Sequence, residues 1–228
     1  PSSTFGIGMM REEYTIFLFF IKSINLELRG DDDNYQIENI IGNISLEYDD
    51  GDAELIGCSG NSFNFNLDDG KLDMVGGQGN LSVKVDDGNV RFTDSLFDQI
   101  NLQAGDGTIT LSGAKGSLSG KIDDGRLIFK DSKFEQVNLK ADDGDIEMET
   151  LLPFQANYQI TSDDGTIDFV VVDGGGDFFI NKDDSSVHIS GQFTAKYANS
   201  KADIYTLSGG NASVTIDIDD GRVELYHK

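Results

Sequence analysis

Apolar residues recur at every second position in short segments along most of the chain. Ile44, Leu46 and Tyr48 alternate with polar residues, as do Phe63, Phe65 and Leu67; Leu81, Val83 and Val85; Ile100, Leu102 and Ala104; and Val137, Leu139 and Ala141. Each of these segments runs into a short acidic, Gly-containing turn. Beyond it the alternation resumes, at Ala53 and Leu55, Leu72 and Met74, Val90 and Phe92, Ile109 and Leu111, Leu127 and Phe129, Ile146 and Met148, Ile167 and Phe169, and Val223 and Leu225. A period of two over four to six residues, bounded by turn formers, predicts a strand with one buried face. Each unit therefore reads as strand, tight turn, strand, and a corner of Gly, Ser, Asp and Lys.

The turns repeat at a fixed interval. Asp-Asp-Gly ends at Gly51, Gly70, Gly88, Gly125, Gly144, Gly165 and Gly221, and Gly105-Asp106-Gly107 fills the gap. From Gly51 the steps are 19, 18, 19, 18, 19 and 21 residues. Asp183-Asp184-Ser185 is a weaker copy, and Asp31-Asp32-Asp33 lies one period upstream. Alternate units resemble each other more closely: Asp94-Ser-Leu-Phe-Asp-Gln-Ile-Asn-Leu102 matches Asp131-Ser-Lys-Phe-Glu-Gln-Val-Asn-Leu139, 37 residues on. The corners thus come in two alternating kinds.

A unit this short cannot bury its own apolar face, but stacked copies bury a continuous one. The pattern predicts an all-β chain wound as a single-stranded, right-handed parallel β-solenoid (a β-helix). About ten coils stacked ~4.8 Å apart give a rod of roughly 50 Å. The rival is an antiparallel, hairpin-rich sandwich or barrel, because Asp-Gly between alternating strands is also a hairpin signal. The regular period favours the solenoid. Residues 1–30 lack the turn motif and read as a cap or first irregular coil; residues 31–228 form the repeat domain. The apolar run Ile16 to Ile21 fits that cap, or a contact with another domain or copy.

Charge narrows the partners. Acidic residues outnumber basic ones 41 to 17, for a net charge of −24. Phosphate-directed nucleic-acid binding needs the opposite sign, and anionic lipid is disfavoured likewise. The longest apolar run falls far short of the ~20 residues of a transmembrane helix. Cys58 is the one cysteine, so neither an internal disulfide nor a cysteine zinc site can form.

With the repeat laid out, the chain resembles a bacterial all-β family of unknown function that carries an adhesin label. The resemblance rests on Asp49-Asp-Gly-Asp-Ala-Glu-Leu55, Asp106-Gly-Thr-Ile-Thr-Leu111, Asp142-Asp-Gly-Asp-Ile-Glu-Met148 and the entry segment Ser23-Ile-Asn-Leu-Glu-Leu28. It spans roughly residues 22–228 and implies an exported protein of the periplasm or cell surface. It offers no catalytic residues to carry over, and no cofactor is expected beyond the Ca²⁺ considered below. Residues 178–210 depart from the pattern.

Three sets of residues carry candidate chemistry. The Asp-Asp-Gly turns follow first from backbone needs, since Gly permits φ > 0 and Asp tolerates turns. Stacked carboxylates would nevertheless repel or recruit cations, and Asp217, Asp219 and Asp220 are the densest set for Ca²⁺. No catalytic constellation is expected: His188 reads as outward on a strand, His227 lies near the end of the chain, and neither forms a metal pair or triad. Cys58 reads as a small corner residue. Finally, with Ile167, Phe169 and Val171 inward, Val170 and Val172 point outward. Phe179, one coil later, and Ile128 are expected to join them in a patch for binding or self-association. The expected function is a non-catalytic rod displaying loops and flat faces to a glycan or protein at the cell surface. A Ca²⁺-stabilised repeat protein and a polysaccharide-active β-helix are the alternatives.

Overall fold

The computed structural model describes residues 23–228, together with the strands Thr4–Gly8 and Thr15–Leu18. It is all-β, and its strands stack in parallel as a solenoid of about ten coils with two sheets. The A sheet runs through Asn25–Gly30, Ile44–Tyr48, Ser59–Leu67, Gln78–Val85, Leu96–Ala104, Lys115–Ile122, the second half of Arg126–Ala141, and Asn157–Ser162. The B sheet runs through Asn34–Glu38, Asp52–Ile56, Lys71–Val75, Asn89–Thr93, Thr108–Ser112, the first half of Arg126–Ala141, Asp145–Leu151 and Thr166–Asp173. Each acidic turn therefore joins strands of different sheets. Among the described residues antiparallel pairing is confined to Ala202–Leu207, which pairs with Gly176–Lys182 on one side and Thr194–Ala198 on the other. The hairpin reading fails everywhere else.

Thr4–Gly8 pairs in parallel with Asn25–Gly30, and Thr15–Leu18 with Asn34–Glu38. Phe19, Phe20 and Ile21, the second half of the apolar run assigned to a cap or contact, lie outside the described residues.

The alternating residues do what their period requires. Ile44, Leu46, Tyr48, Leu55, Phe63, Leu72, Leu81, Val90, Ile109, Leu127, Ile146 and Phe169 all lie in one continuous core between the sheets. Aromatic rings meet edge to face along it, with Phe92 against Phe97 at 5.7 Å, Phe129 against Phe134 at 5.7 Å, and Phe169 against Phe178 at 6.0 Å between ring centres. The most deeply buried phenols, Tyr48 and Tyr158, keep their hydroxyls bonded. Tyr48 donates to Lys71 O at 2.8 Å and Tyr158 to Phe134 O at 3.0 Å, which removes the cost of burying an unpaired hydroxyl.

The acidic turns carry the coil-to-coil contact, for a reason only partly foreseen. Among the repeat glycines, only Gly51, Gly165 and Gly221 have positive φ. The common requirement is proximity. A Cβ at Gly107 would sit 2.6 Å from Gly88 O, and one at Gly165 would sit 2.6 Å from Gly144 O. Most carbonyls of this ladder are engaged: Thr108 N–H donates to Gly88 O at 2.9 Å, Asn89 N–H to Gly70 O at 3.0 Å, and Arg126 N–H to Gly107 O at 3.0 Å, while Thr166 N–H donates to Asp145 Oδ1 at 3.0 Å. Each glycine thus lets its coil come close enough to bond the coil below. At the opposite corner the left-handed conformation recurs in six successive coils, at Asn39, Gly57, Gly76, Asp94, Gly113 and Asp131, with φ between 49° and 72°. The two alternating corner types are the Gly and Asp versions of this one conformation, which Asp tolerates better than most residues.

The coil order departs from the chain order beyond Asp173. Ala212–Ile218 pairs with Asn157–Ser162 on one side and Gly176–Lys182 on the other. Arg222–His227 lies likewise between Thr166–Asp173 and Ser186–Ser190. Phe179 is therefore two coils from Phe169 rather than one. The turn ladder runs through the inserted coil: Arg222 N–H donates to Gly165 O and Ser186 N–H to Gly221 O, both at 3.0 Å. Asp219-Asp220-Gly221 carries the glycine that continues the ladder. Asp183-Asp184-Ser185 lacks it and sits at the corner of the edge coil.

Two outcomes follow. Gly107→Ala should lower urea-unfolding stability by ~1–3 kcal/mol, since the backbone must shift to admit the methyl, whereas Ser119→Ala on the outer A face should change it little. Removing residues 212–228 should strip hydrogen-exchange protection from residues 176–190 while residues 44–151 keep theirs, because a solenoid is stabilised by nearest neighbours. Uniform loss across the chain would contradict this.

Candidate binding site

Because the sheets are in register, outward side chains form columns along the rod. On the A sheet one column reads Ser45, Asn64, Ser82, Asn101, Ser119, Asn138 in successive coils. The 37-residue similarity produces this alternation, and the signal was present in the sequence at Asn101 and Asn138. The result is a flat, uncharged strip.

The B sheet is different. Its central column reads Gln36, Glu54, Asp73, Arg91, Thr110, Ile128, Glu147, Asp168. The coil Thr108–Ser112 presents only Thr108, Thr110 and Ser112 outward, all short. Longer side chains on both flanks, Arg91 on one and Ile128 and Lys130 on the other, leave a groove of about 340 Å³ above it. A second groove of about 490 Å³ lies over Gln36, Asp52 and Glu54. Lys71 and Asp73 line both and stand between them, so the two grooves adjoin along one face as the two ends of a divided trough.

The charges along the trough are not uniform. Lys71 is paired with Asp73, which raises the Lys71 pKa through the hydrogen bond first and charge second. Arg126 is held by Asp145 at 3.0 Å and Glu147 at 3.6 Å. Arg91 Nη1 is 3.9 Å from Asp73 Oδ1, beyond hydrogen-bond length. Lys130 has no ion pair among the described residues.

The residues singled out from sequence are dispersed. Ile128 lines the trough. Val170 is also outward on the B sheet, half-buried between Glu149 and Tyr226 on the adjacent strands, and Val172 is half-buried at the end of the same strand. Phe179 lies on the outer A face beside Thr215, 37% exposed. One contiguous patch of the four does not form, because Phe179 belongs to the other sheet. The hydrophilic columns that form the trough were missed. Their positions are outward in every unit, but their alignment needed the register.

Asp217, Asp219 and Asp220 do not converge. Asp217 accepts a hydrogen bond from Asn181 Nδ2 at 2.5 Å on the A face, while Asp219 and Asp220 lie exposed in the turn. No group of three or more His, Cys, Asp or Glu side chains able to hold a metal occurs among the described residues. His188 Nδ1 faces Glu224 at 3.9 Å on the outer B face, and His227 packs against Phe193. Cys58 is buried in the corner stack, where lost hydration raises its pKa.

The acidic corners do carry electrostatic stress. Asp49, Asp87 and Asp143 have raised pKa values, first from lost hydration and then from like charges on neighbouring corners, such as Asp31 and Asp68 around Asp49. Asp142 is lowered, first by its hydrogen bond from Lys140.

This geometry defines a class before it defines a family: a rigid, two-faced parallel solenoid with polar outer surfaces. Residues 21–226 match the Toastrack DUF4097 family, and the chain belongs to it. No curated protein and no solved structure matches the chain. Among the described residues no helix is long and apolar enough to cross a membrane.

The corner charges give a signed expectation. A carboxylate with a raised folded pKa binds its proton more tightly when folded, so stability falls as pH rises through the window above 3.8. The melting temperature should therefore rise as pH falls into the carboxylate range just above 3.8, and turn down again below it as Asp142, whose pKa is lowered, loses its charge. At neutral pH, Ca²⁺ and Mg²⁺ at equal ionic strength should raise it equally, as screening of a carboxylate ladder requires. A Ca²⁺-selective rise would reveal a specific site.

Proposed function

We propose that this Toastrack solenoid is a non-catalytic binding or scaffold module acting outside the cytoplasm, in the periplasm or at the cell surface. The rod holds a glycan or protein partner along the outer B face. One observation carries the reading: the trough over Thr108, Thr110 and Ser112 is concave, polar and built on paired strands rather than loops. Sites on regular elements hold their geometry without an ordering cost on binding. The extracytoplasmic setting is supported by the resemblance to an exported adhesin-labelled family. The flat Ser/Asn strip of the A sheet leaves the opposite side free for packing against a second surface.

The test is quantitative binding of purified envelope glycans to the folded chain and to Thr110→Trp, which fills the trough from an outward position. The variant should bind about tenfold more weakly, or ~1.4 kcal/mol, with an unchanged melting temperature, and no new reducing ends should appear. Undiminished binding by Thr110→Trp would move the site elsewhere. Release of product would make the rod an enzyme.

A further inference from the structure

We infer that the Thr110 end of the trough, on the binding reading given above, accepts a hydroxyl-rich ligand bearing a single carboxylate, such as an oligosaccharide with one uronate residue. The argument starts from which cations are committed. Lys71 is neutralised by Asp73, and Arg126 is turned to the next coil by Asp145 and Glu147. Arg91 and Lys130 are left without a hydrogen-bonded carboxylate among the described residues. They stand on the two coils flanking Thr108–Ser112, Arg91 in register with Thr110 and Lys130 with Ser112, so two strand spacings and a two-residue offset, ~12 Å in all, separate their backbones across the recess. Long, flexible side chains at that separation can close on one anionic group seated over Thr110. A carboxylate between them gains charge-assisted hydrogen bonds.

The rest of the lining selects the rest of the ligand. Thr108, Thr110, Ser112 and Asn89 offer neutral hydroxyl and amide partners at the same level, which suit the hydroxyls of a sugar. The opposite end of the trough reverses sign: Asp52, Glu54 and Asp73 line it with Lys71 as the one cation in that lining. A second carboxylate further along the ligand would meet that end. A polyanion would also meet the −24 net charge of the chain at long range. The trough therefore fits one anion at one end and neutral sugar beyond it, which also fixes the direction in which the ligand lies.

The experiment titrates the full chain, by calorimetry, with four probes: a trisaccharide of two glucoses ending in one glucuronate, the all-glucose trisaccharide, a tri-galacturonate, and acetate. The mono-uronate probe should bind one to one, about tenfold more tightly than any of the other three. Arg91→Gln and Lys130→Gln, both exposed and expected to fold normally, should each weaken it about tenfold, while Lys84→Gln on the A sheet should not. Equal affinity for the all-glucose probe, tighter binding of the tri-galacturonate, or acetate binding as well as the trisaccharide would each overturn the inference. So would indifference to Arg91 and Lys130. Should no probe bind while envelope glycans still bind in a Thr110-dependent way, the ligand class is wrong and the binding function stands. Should that Thr110-dependent binding also be absent, both fail.

Discussion

The close approach of backbone to backbone at the acidic turns is the constraint on which the solenoid rests. Each glycine brings its coil down onto a carbonyl of the coil below, and at Gly70, Gly88, Gly107, Gly125, Gly144 and Gly221 the residue after it bonds that carbonyl. At the edge coil Ser185 takes the place of the glycine and the bond to Gly221 O survives, but inside the stack a Cβ at Gly107 or Gly125 would meet a carbonyl at 2.6 Å or less and the coils would have to part there. The sheets on either side could not then keep their ladder, and the core columns would lose contact. Register follows from the same contact. Because every turn is stacked on the previous one, Ile44, Phe63, Leu81 and Ile100 fall into one column without any further instruction.

The same stacking sets the electrostatics. It places acidic residues on neighbouring corners side by side, which is where carboxylates are harder to ionise. Much of the negative charge is thereby concentrated along one edge of the rod. The outer faces can then differ from the net charge, as the Arg91 and Lys130 flank of the trough does. A strongly acidic protein can present a locally cationic recess because the geometry separates the two along its surface.

Much of the architecture was legible in the sequence because it depends on period. Alternation gave the inward residues, and the turn interval gave the coils. The two corner types at Asp94 and Gly113 proved to be one left-handed corner in two residues. Less legible was anything that depends on which coil lies beside which. The glycine rule read as a φ requirement, whereas most of the repeat glycines serve proximity. Phe179 was placed beside Val170, yet the strand carrying it belongs to the other sheet. The trough was invisible for the same reason: Thr110 is an ordinary outward residue until Arg91 and Lys130 are known to flank it. Asp217, Asp219 and Asp220 are close in sequence, but successive residues of a strand and its turn point to different sides.

The insertion of Ala212–Ile218 and Arg222–His227 between two earlier coils bears on how the chain is made. A solenoid that winds in order can add coils as they leave the ribosome. Here the segment Gly176–Ser190 is synthesised before the coil on which it finally rests. Until residues 212–228 emerge, it has either no proper seat or the wrong one, directly on Asn157–Asp173. Completion of that end is thus timed to the arrival of later residues, and a chain cut short by translation or proteolysis carries an unfinished end that cellular quality control can recognise.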